Sequence, residues 1–175
     1  ILFSMEPLAA TLRPKTLKEY IGQSHLVGQG KPLAVAIEKK HIFSFILWGP
    51  PGSGKTTLAR IYAKAINADY HELSAVSSGK DDIRRIVETG GDLFGPRILF
   101  LDEIHRFNKS QQDYLLPFVE SGKLILIGAT TENPSFEVNS ALLSRMRVFV
   151  LEELSRDDIK KIVASTGYVI LDDAL

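Results

Sequence analysis

Four groups of residues have the types and spacing to handle a phosphate ester. The first is Gly49-Pro50-Pro51-Gly52-Ser53-Gly54-Lys55-Thr56, which fits G-x-x-x-x-G-K-[ST]. Its glycines at 49, 52 and 54 open backbone conformations closed to residues with a Cβ, so that successive N–H groups can turn inward as an anion nest. Lys55 has the length to reach β- and γ-phosphates, and the Thr56 hydroxyl suits Mg²⁺. The second group is Asp102-Glu103 after the apolar run Ile98-Leu99-Phe100-Leu101. An aspartate there can hold Mg²⁺, and a glutamate beside it can polarise a water for in-line attack. The third is Thr130-Thr131, whose hydroxyls could touch a γ-phosphate or the attacking water, or simply form a polar turn. The fourth is Arg145 and Arg147, which fit either a finger on a neighbouring subunit's phosphate or surface ion pairs.

These groups need a scaffold that brings them to one edge, and the apolar pattern supplies one. Phe45-Ile46-Leu47-Trp48 before the phosphate loop reads as the end of a buried strand from about Ile42. Leu58, Ile61, Tyr62, Ala65 and Ile66 recur at helical spacing after it, predicting a helix over Lys55–Ile66. Further strands are expected at Asp69–Ser74, Ile98–Asp102, Leu124–Thr130 and Val148–Leu151. Helices are expected at Lys31–Lys40, Asp81–Glu88, Lys109–Val119 and Ala141–Ser144. Pro117 stands inside one of them and is expected to bend or shorten it. Ser155 reads as the N-cap of a helix over Arg156–Ala164, with Asp157 and Asp158 in its first turn, and Leu171–Leu175 as the start of another. Thr16 and Glu19 have capping-box spacing.

Strand and helix alternate, and the strands are continuously rather than alternately apolar. That predicts an α/β fold with a parallel sheet covered on both faces. Ligands in such folds lie outside the carboxyl ends of the strands, where the phosphate loop, Asp102 and Thr130-Thr131 all fall.

Composition excludes several classes. The 175 residues carry 21 basic and 21 acidic side chains, so no strongly basic coat for nucleic acid is present, although a local patch remains open. Cysteine is absent, which excludes disulfides and thiolate metal sites. His25, His41, His71 and His105 have no metal-ligand spacing; His105 reads as structural or partner-facing. The apolar runs are too short to span a bilayer, no secretion signal is recognisable, and the cytoplasm is the default compartment. The absence of an initial methionine reads as a fragment.

The phosphate loop, Leu101-Asp102-Glu103-Ile104-His105-Arg106-Phe107, Gly128-Ala129-Thr130-Thr131 and Ser144-Arg145 together resemble the AAA+ ATPases, and within them the clamp-loader-like group. The strings Arg106–Asp113 and Ala129–Phe136 are similar to a narrower branch, the replication-associated recombination ATPases and their eukaryotic counterparts, the Werner-helicase-interacting ATPases. The resemblance runs from about Pro7 to Leu154. It implies an AAA+ core with a parallel five-stranded sheet over residues 31–152, an N-terminal arm over 1–30 that contributes to an adenine pocket, and a partial helical lid over 153–175. It implies ATP and Mg²⁺ as cofactors. The phosphate loop with Thr57 would bind nucleotide, and Arg13, Pro14, Tyr20 and Ile21 would line the adenine side. Thr56 and Asp102 would hold magnesium. Glu103, Lys55, Thr131 (Thr130 as second choice) and Arg145, acting in trans, would serve hydrolysis. Ser74 would restrain the catalytic glutamate.

As a function, the resemblance implies a DNA-dependent ATP hydrolase in replication fork maintenance, recombination and repair. Its implied partners are forked, gapped or broken-ended DNA, single-stranded-DNA-binding protein and further copies of itself, in a bacterial nucleoid setting and away from membranes. The rivals are a sliding-clamp loader subunit, a Holliday-junction motor, or a nucleotide-gated scaffold that hardly hydrolyses. Two departures stand out. The connector before the Ile98 strand is short for the family, and no Gly-Asp-x-Arg arginine or oligomerisation region follows Ala164. The resemblance therefore implies weak nucleotide binding and poor turnover for this piece alone.

Overall fold

The computed structural model describes residues 13–89 and 95–165. The first twelve residues of the arm, positions 90–94 of the connector and the expected helix at Leu171–Leu175 lie outside them. In chain order the elements are α1 (Ser24–Val27), α2 (Pro32–Glu38), β1 (Phe45–Trp48), α3 (Lys55–Ala65), β2 (Asp69–Ser74), α4 (Lys80–Glu88) and β3 (Arg97–Asp102). A 3₁₀ turn (Ile104–Arg106), α5 (Lys109–Glu120), β4 (Ile125–Thr130), α6 (Pro134–Glu137), α7 (Ser140–Leu143), β5 (Arg147–Val150) and α8 (Arg156–Ser165) follow.

The five strands form one sheet in the order β2-β3-β4-β1-β5, and every pairing is parallel. The central strands carry the unbroken apolar runs because each must feed two cores. Side chains alternate across a strand, so Phe45, Leu47, Ile98, Phe100, Ile127 and Ala129 face Leu58 and Tyr62 of α3. Ile46, Leu99, Leu101 and Leu126 face Ile83 of α4, Leu115 of α5 and Leu142 of α7. The edge strands β2 and β5 are only partly buried, and β5 leaves Val148 and Val150 exposed.

Two four-residue helices, α1 and α6, go beyond the expected elements. Each is too short for an apolar repeat to register. For α6 the signal is local: Asn133 accepts from the Ser135 amide and Pro134 opens the helix. Pro117, expected to bend or shorten α5, does not shorten it: the helix runs on to Glu120. Pro117 sits in its last turns, on the exposed side. The Ser155 cap forms as expected: its hydroxyl accepts from the Asp158 amide at 3.1 Å and donates to the Asp158 carboxylate at 2.7 Å. Glu19 closes the turn before it by accepting from the Lys15 amide and the Thr16 hydroxyl.

Candidate nucleotide site

Parallel strands end on one side, so Trp48, Ser74, Asp102 and Thr130 close the same edge of the sheet. Register places Trp48 opposite Thr130 and Ser74 opposite Asp102. The phosphate loop leaves from Trp48 between the ends of β4 and β5. Gly49 donates its amide to the Thr130 carbonyl at 3.1 Å. Of the loop's three glycines, Gly52 and Gly54 take left-handed backbone, with φ of 75° and 95°. Gly49 is needed for a different reason than the expected one. A Cβ there would lie 2.4 Å from the Leu151 carbonyl oxygen, so the residue is small because the chain after β5 passes against it.

The loop delivers Lys55 into the first turn of α3, where only 9% of the residue is exposed. Its ammonium donates to the carbonyls of Gly49 and Pro50, both at 2.8 Å. Burial pushes its pKa down, and the charges of Asp102 and Glu103 push back. Asp102 mirrors this: burial is the main force raising its carboxyl pKa, and the Glu103 charge adds to it. Two carboxylates and one ammonium thus act on one another at the same strand edge.

Glu103 sits in left-handed backbone at φ 55°, and its amide donates to the Asp102 carboxylate at 3.1 Å. Its own carboxylate meets His105 Nε2 at 3.0 Å. Ser74, expected to restrain this glutamate, instead accepts from the Val76 amide through its hydroxyl. Thr130 is fully buried, and its hydroxyl contacts His105 Nδ1 at 2.9 Å and accepts from the Glu132 amide at 3.0 Å. Thr131 follows it half-buried at the strand end.

Beside the loop lies a cavity of about 320 Å³. Arg13, Pro14, Glu19, Tyr20 and Ile21 of the arm line one side, Gly52, Ser53, Gly54 and Thr57 the floor, and Leu154, Ile162 and Ser165 the other side. The four arm residues expected at the adenine side therefore all reach it. Tyr20 also braces the loop from behind. Its hydroxyl contacts the carbonyls of Ser53 and Gly54, and burial drives its pKa far up. A Cβ on Gly54 would lie 2.5 Å from that hydroxyl. Gln23 was not singled out by sequence, yet it ties three segments. Its amide donates to the Ser53 and Glu152 carbonyls at 3.3 and 2.7 Å and accepts from the Glu152 amide at 2.9 Å. Only its place between Gly22 and Ser24, in a turn-rich stretch, could have flagged it.

The site fits a polyphosphate on a further count. The Ser53 hydroxyl is buried in the loop without a hydrogen-bond partner, a costly arrangement unless a ligand oxygen completes it. Among the described residues no cluster of three or more His, Cys, Asp or Glu side chains forms a metal cage. The hard oxygens of Thr56 and Asp102 match magnesium, which takes few protein ligands and shares the rest with phosphate and water.

Arg145 lies at the end of α7, away from these contacts. It donates to the Ala141 carbonyl and the Ser144 hydroxyl and pairs with Glu120. Arg147 packs its guanidinium on the Phe43 ring. The string Arg106–Asp113 meets the segment just beyond Ala129–Phe136. Gln112 is buried, donating to the carbonyls of Phe107 and Glu137 and accepting from the Asn139 amide.

A parallel sheet in this order, with a phosphate loop and an Asp-Glu pair at its carboxyl edge, defines a nucleotide-binding AAA core. The chain belongs to that family: the ATPase family associated with various cellular activities (AAA) matches residues 45–154. Within it, the chain is 56% identical to replication-associated recombination protein A of Escherichia coli (strain K12), over 91% of this chain and 36% of that protein. It is 49% identical to ATPase WRNIP1 of Dictyostelium discoideum, over 93% of this chain and 19% of that protein. The chain thus spans about a third or less of these relatives' length. The fold is similar to the Thermotoga maritima RuvB Holliday junction branch migration motor, with a TM-score of 0.74 and 32% identity over 88% of this chain and 53% of that one.

Proposed function

We propose that this chain is the nucleotide-hydrolysing core of a DNA-dependent ATPase acting in replication fork maintenance, recombination and repair. The observation that carries the reading is the placement of the Lys55 loop and the Asp102-Glu103 pair at the same carboxyl edge of the parallel sheet. ATP would lie with its phosphates on the Gly49–Thr56 loop and its base in the cavity between arm and lid. Thr56 and Asp102 would hold magnesium, which would supply charge neutralisation on the phosphates. Glu103 takes a proton from water as the water's oxygen bonds to the γ-phosphorus and the bond to the β-phosphate oxygen breaks, leaving ADP and phosphate. Lys55 offsets the growing charge, Thr131 contacts the γ-phosphate, and Arg145 reaches the site of a neighbouring copy.

The setting is read from the relatives. Similarity at 56% identity to a replication-associated recombination protein outweighs 32% identity to a branch-migration motor. Forked, gapped or broken-ended DNA, single-stranded-DNA-binding protein and copies of the chain itself are the proposed partners, in the cytoplasm at the bacterial nucleoid. No helix among the described residues is long and apolar enough to cross a membrane. With zero formal net charge, DNA contact would run through a local patch or through other parts of the full-length protein.

The test is the ATPase rate of the full-length protein with and without gapped DNA and single-stranded-DNA-binding protein. Stimulation of about tenfold or more by gapped DNA is the expected result. A rate indifferent to DNA, with tight ATP binding, would replace this reading with a nucleotide-gated scaffold.

A further inference from the structure

His105 is a largely buried titratable side chain at the site that the hydrolytic scheme leaves unused. Its side chain is 9% exposed, and both ring nitrogens are engaged. Nε2 stands 3.0 Å from Glu103 Oε2, and Nδ1 stands 2.9 Å from Thr130 Oγ1. A carboxylate has no proton to give, so Nε2 must carry one and donate it. In the neutral ring Nδ1 is then an acceptor. Thr130 can satisfy it, because the Glu132 amide already donates to the Thr130 oxygen and the hydroxyl hydrogen remains for the ring. The alternative acceptor for that hydrogen, the Glu132 carbonyl, is farther at 3.2 Å. The carboxylate therefore sets the ring's tautomer, Thr130 at the end of β4 sets its orientation, and the ring in turn holds the carboxylate.

Glu103 has reason to need such a tether. Its left-handed backbone turns it out of the strand's line, and its side chain is one-third exposed. A free carboxylate there would sample several rotamers. With Oε2 held by His105, Oε1 remains for a water, on a side chain whose charge still reaches Lys55. We infer that His105 is a positioning residue for hydrolysis: with its ring oriented by Thr130, it holds Glu103 in the orientation that activates water. This rests on the assignment of Glu103 as the base.

The test uses the full-length protein, ATP turnover, binding of a fluorescent ATP analogue, and three substitutions. Glutamine places its amide nitrogen near the position of Nε2 and keeps the bond to Glu103. Asparagine places its amide near Nδ1 and keeps only the bond to Thr130. Phenylalanine fills the space and keeps neither. The expected result is a kcat loss of about tenfold or more in His105→Phe and His105→Asn, with KM and analogue affinity within about twofold, and a rate within about threefold of wild type in His105→Gln. A structural role would instead lower affinity and thermal stability together with kcat and would not separate glutamine from asparagine. The inference is overturned if His105→Phe leaves kcat unchanged or raises it, or if the two amides behave alike. Glu103→Gln in the same assay separates the two levels. If it abolishes turnover while the His105 variants do not, only this inference fails. If it leaves turnover intact, the reading of the site fails with it.

Discussion

Asp102 occupies a position that the fold alone would not choose. It is partly buried beside a second carboxylate, and its pKa is raised mainly by burial and then by the Glu103 charge. A raised carboxyl pKa means that the folded protein holds this proton more tightly than the unfolded chain does. The stability gained is complete at low pH and is lost as pH rises from the ordinary carboxylate range through the raised value. Near neutrality the ionised Asp102 is therefore a cost, which a cation can offset. Asp102→Asn removes the cost. In calorimetry without nucleotide or magnesium it is expected to raise Tm by about 2–4 °C at neutral pH, with the advantage shrinking as pH falls toward the carboxylate range. A lower Tm at neutral pH would show that Asp102 stabilises the empty site. Most of the site was legible at this scale, because the phosphate loop and Asp-Glu pair are runs of neighbouring residues. The contacts of Glu103 were not: its partner is His105 rather than Ser74, and left-handed backbone at a glutamate leaves no mark in the letters.

At the scale of elements, the string that carries the narrower resemblance has a structural explanation. Asn108 and Gln111 form a reciprocal capping box at the start of α5: the Asn108 side chain accepts from the Gln111 amide at 3.0 Å, and Gln111 returns the bond at 2.9 Å. Gln112 then pins the helix to the segment after α6. These residues fix α5 beneath the turn that bears His105. Asn108→Ala should cost about 1 kcal/mol of stability, read as a shift in denaturation midpoint without a change in slope. No shift would mean that solvent replaces the cap without loss. The strands β1, β3 and β4 were the easiest elements to place, since burial on both faces leaves unbroken apolar runs. Edge strands β2 and β5 were also found, although β5 shifts by one residue to Arg147–Val150. The short α1 and α6 escaped because their order comes from caps and neighbours rather than from an apolar stripe.

Across the whole molecule, arm, phosphate loop and the segment after β5 close around one cavity, and Gln23 is the knot among them. That closure joins residues more than 120 positions apart, which periodicity cannot reveal. Arg145, by contrast, is spent on Glu120 and α7 within its own chain. If it serves a neighbour, it must exchange an exposed ion pair, which holds it only weakly. Mixing full-length Arg145→Ala subunits with Lys55→Ala subunits, each inactive alone, should restore a fraction of the ATPase rate at junctions that pair an intact loop with an intact arginine. No recovery at any ratio would remove Arg145 from the site. The account as a whole stands on Glu103 acting as the base for ATP hydrolysis at this strand edge. The most direct measurement is single-turnover hydrolysis by full-length protein carrying Glu103→Gln, beside the wild type, with nucleotide affinity measured on the same samples. A rate loss of about 10²–10⁴-fold with affinity retained is predicted. Hydrolysis at the wild-type rate would contradict the account.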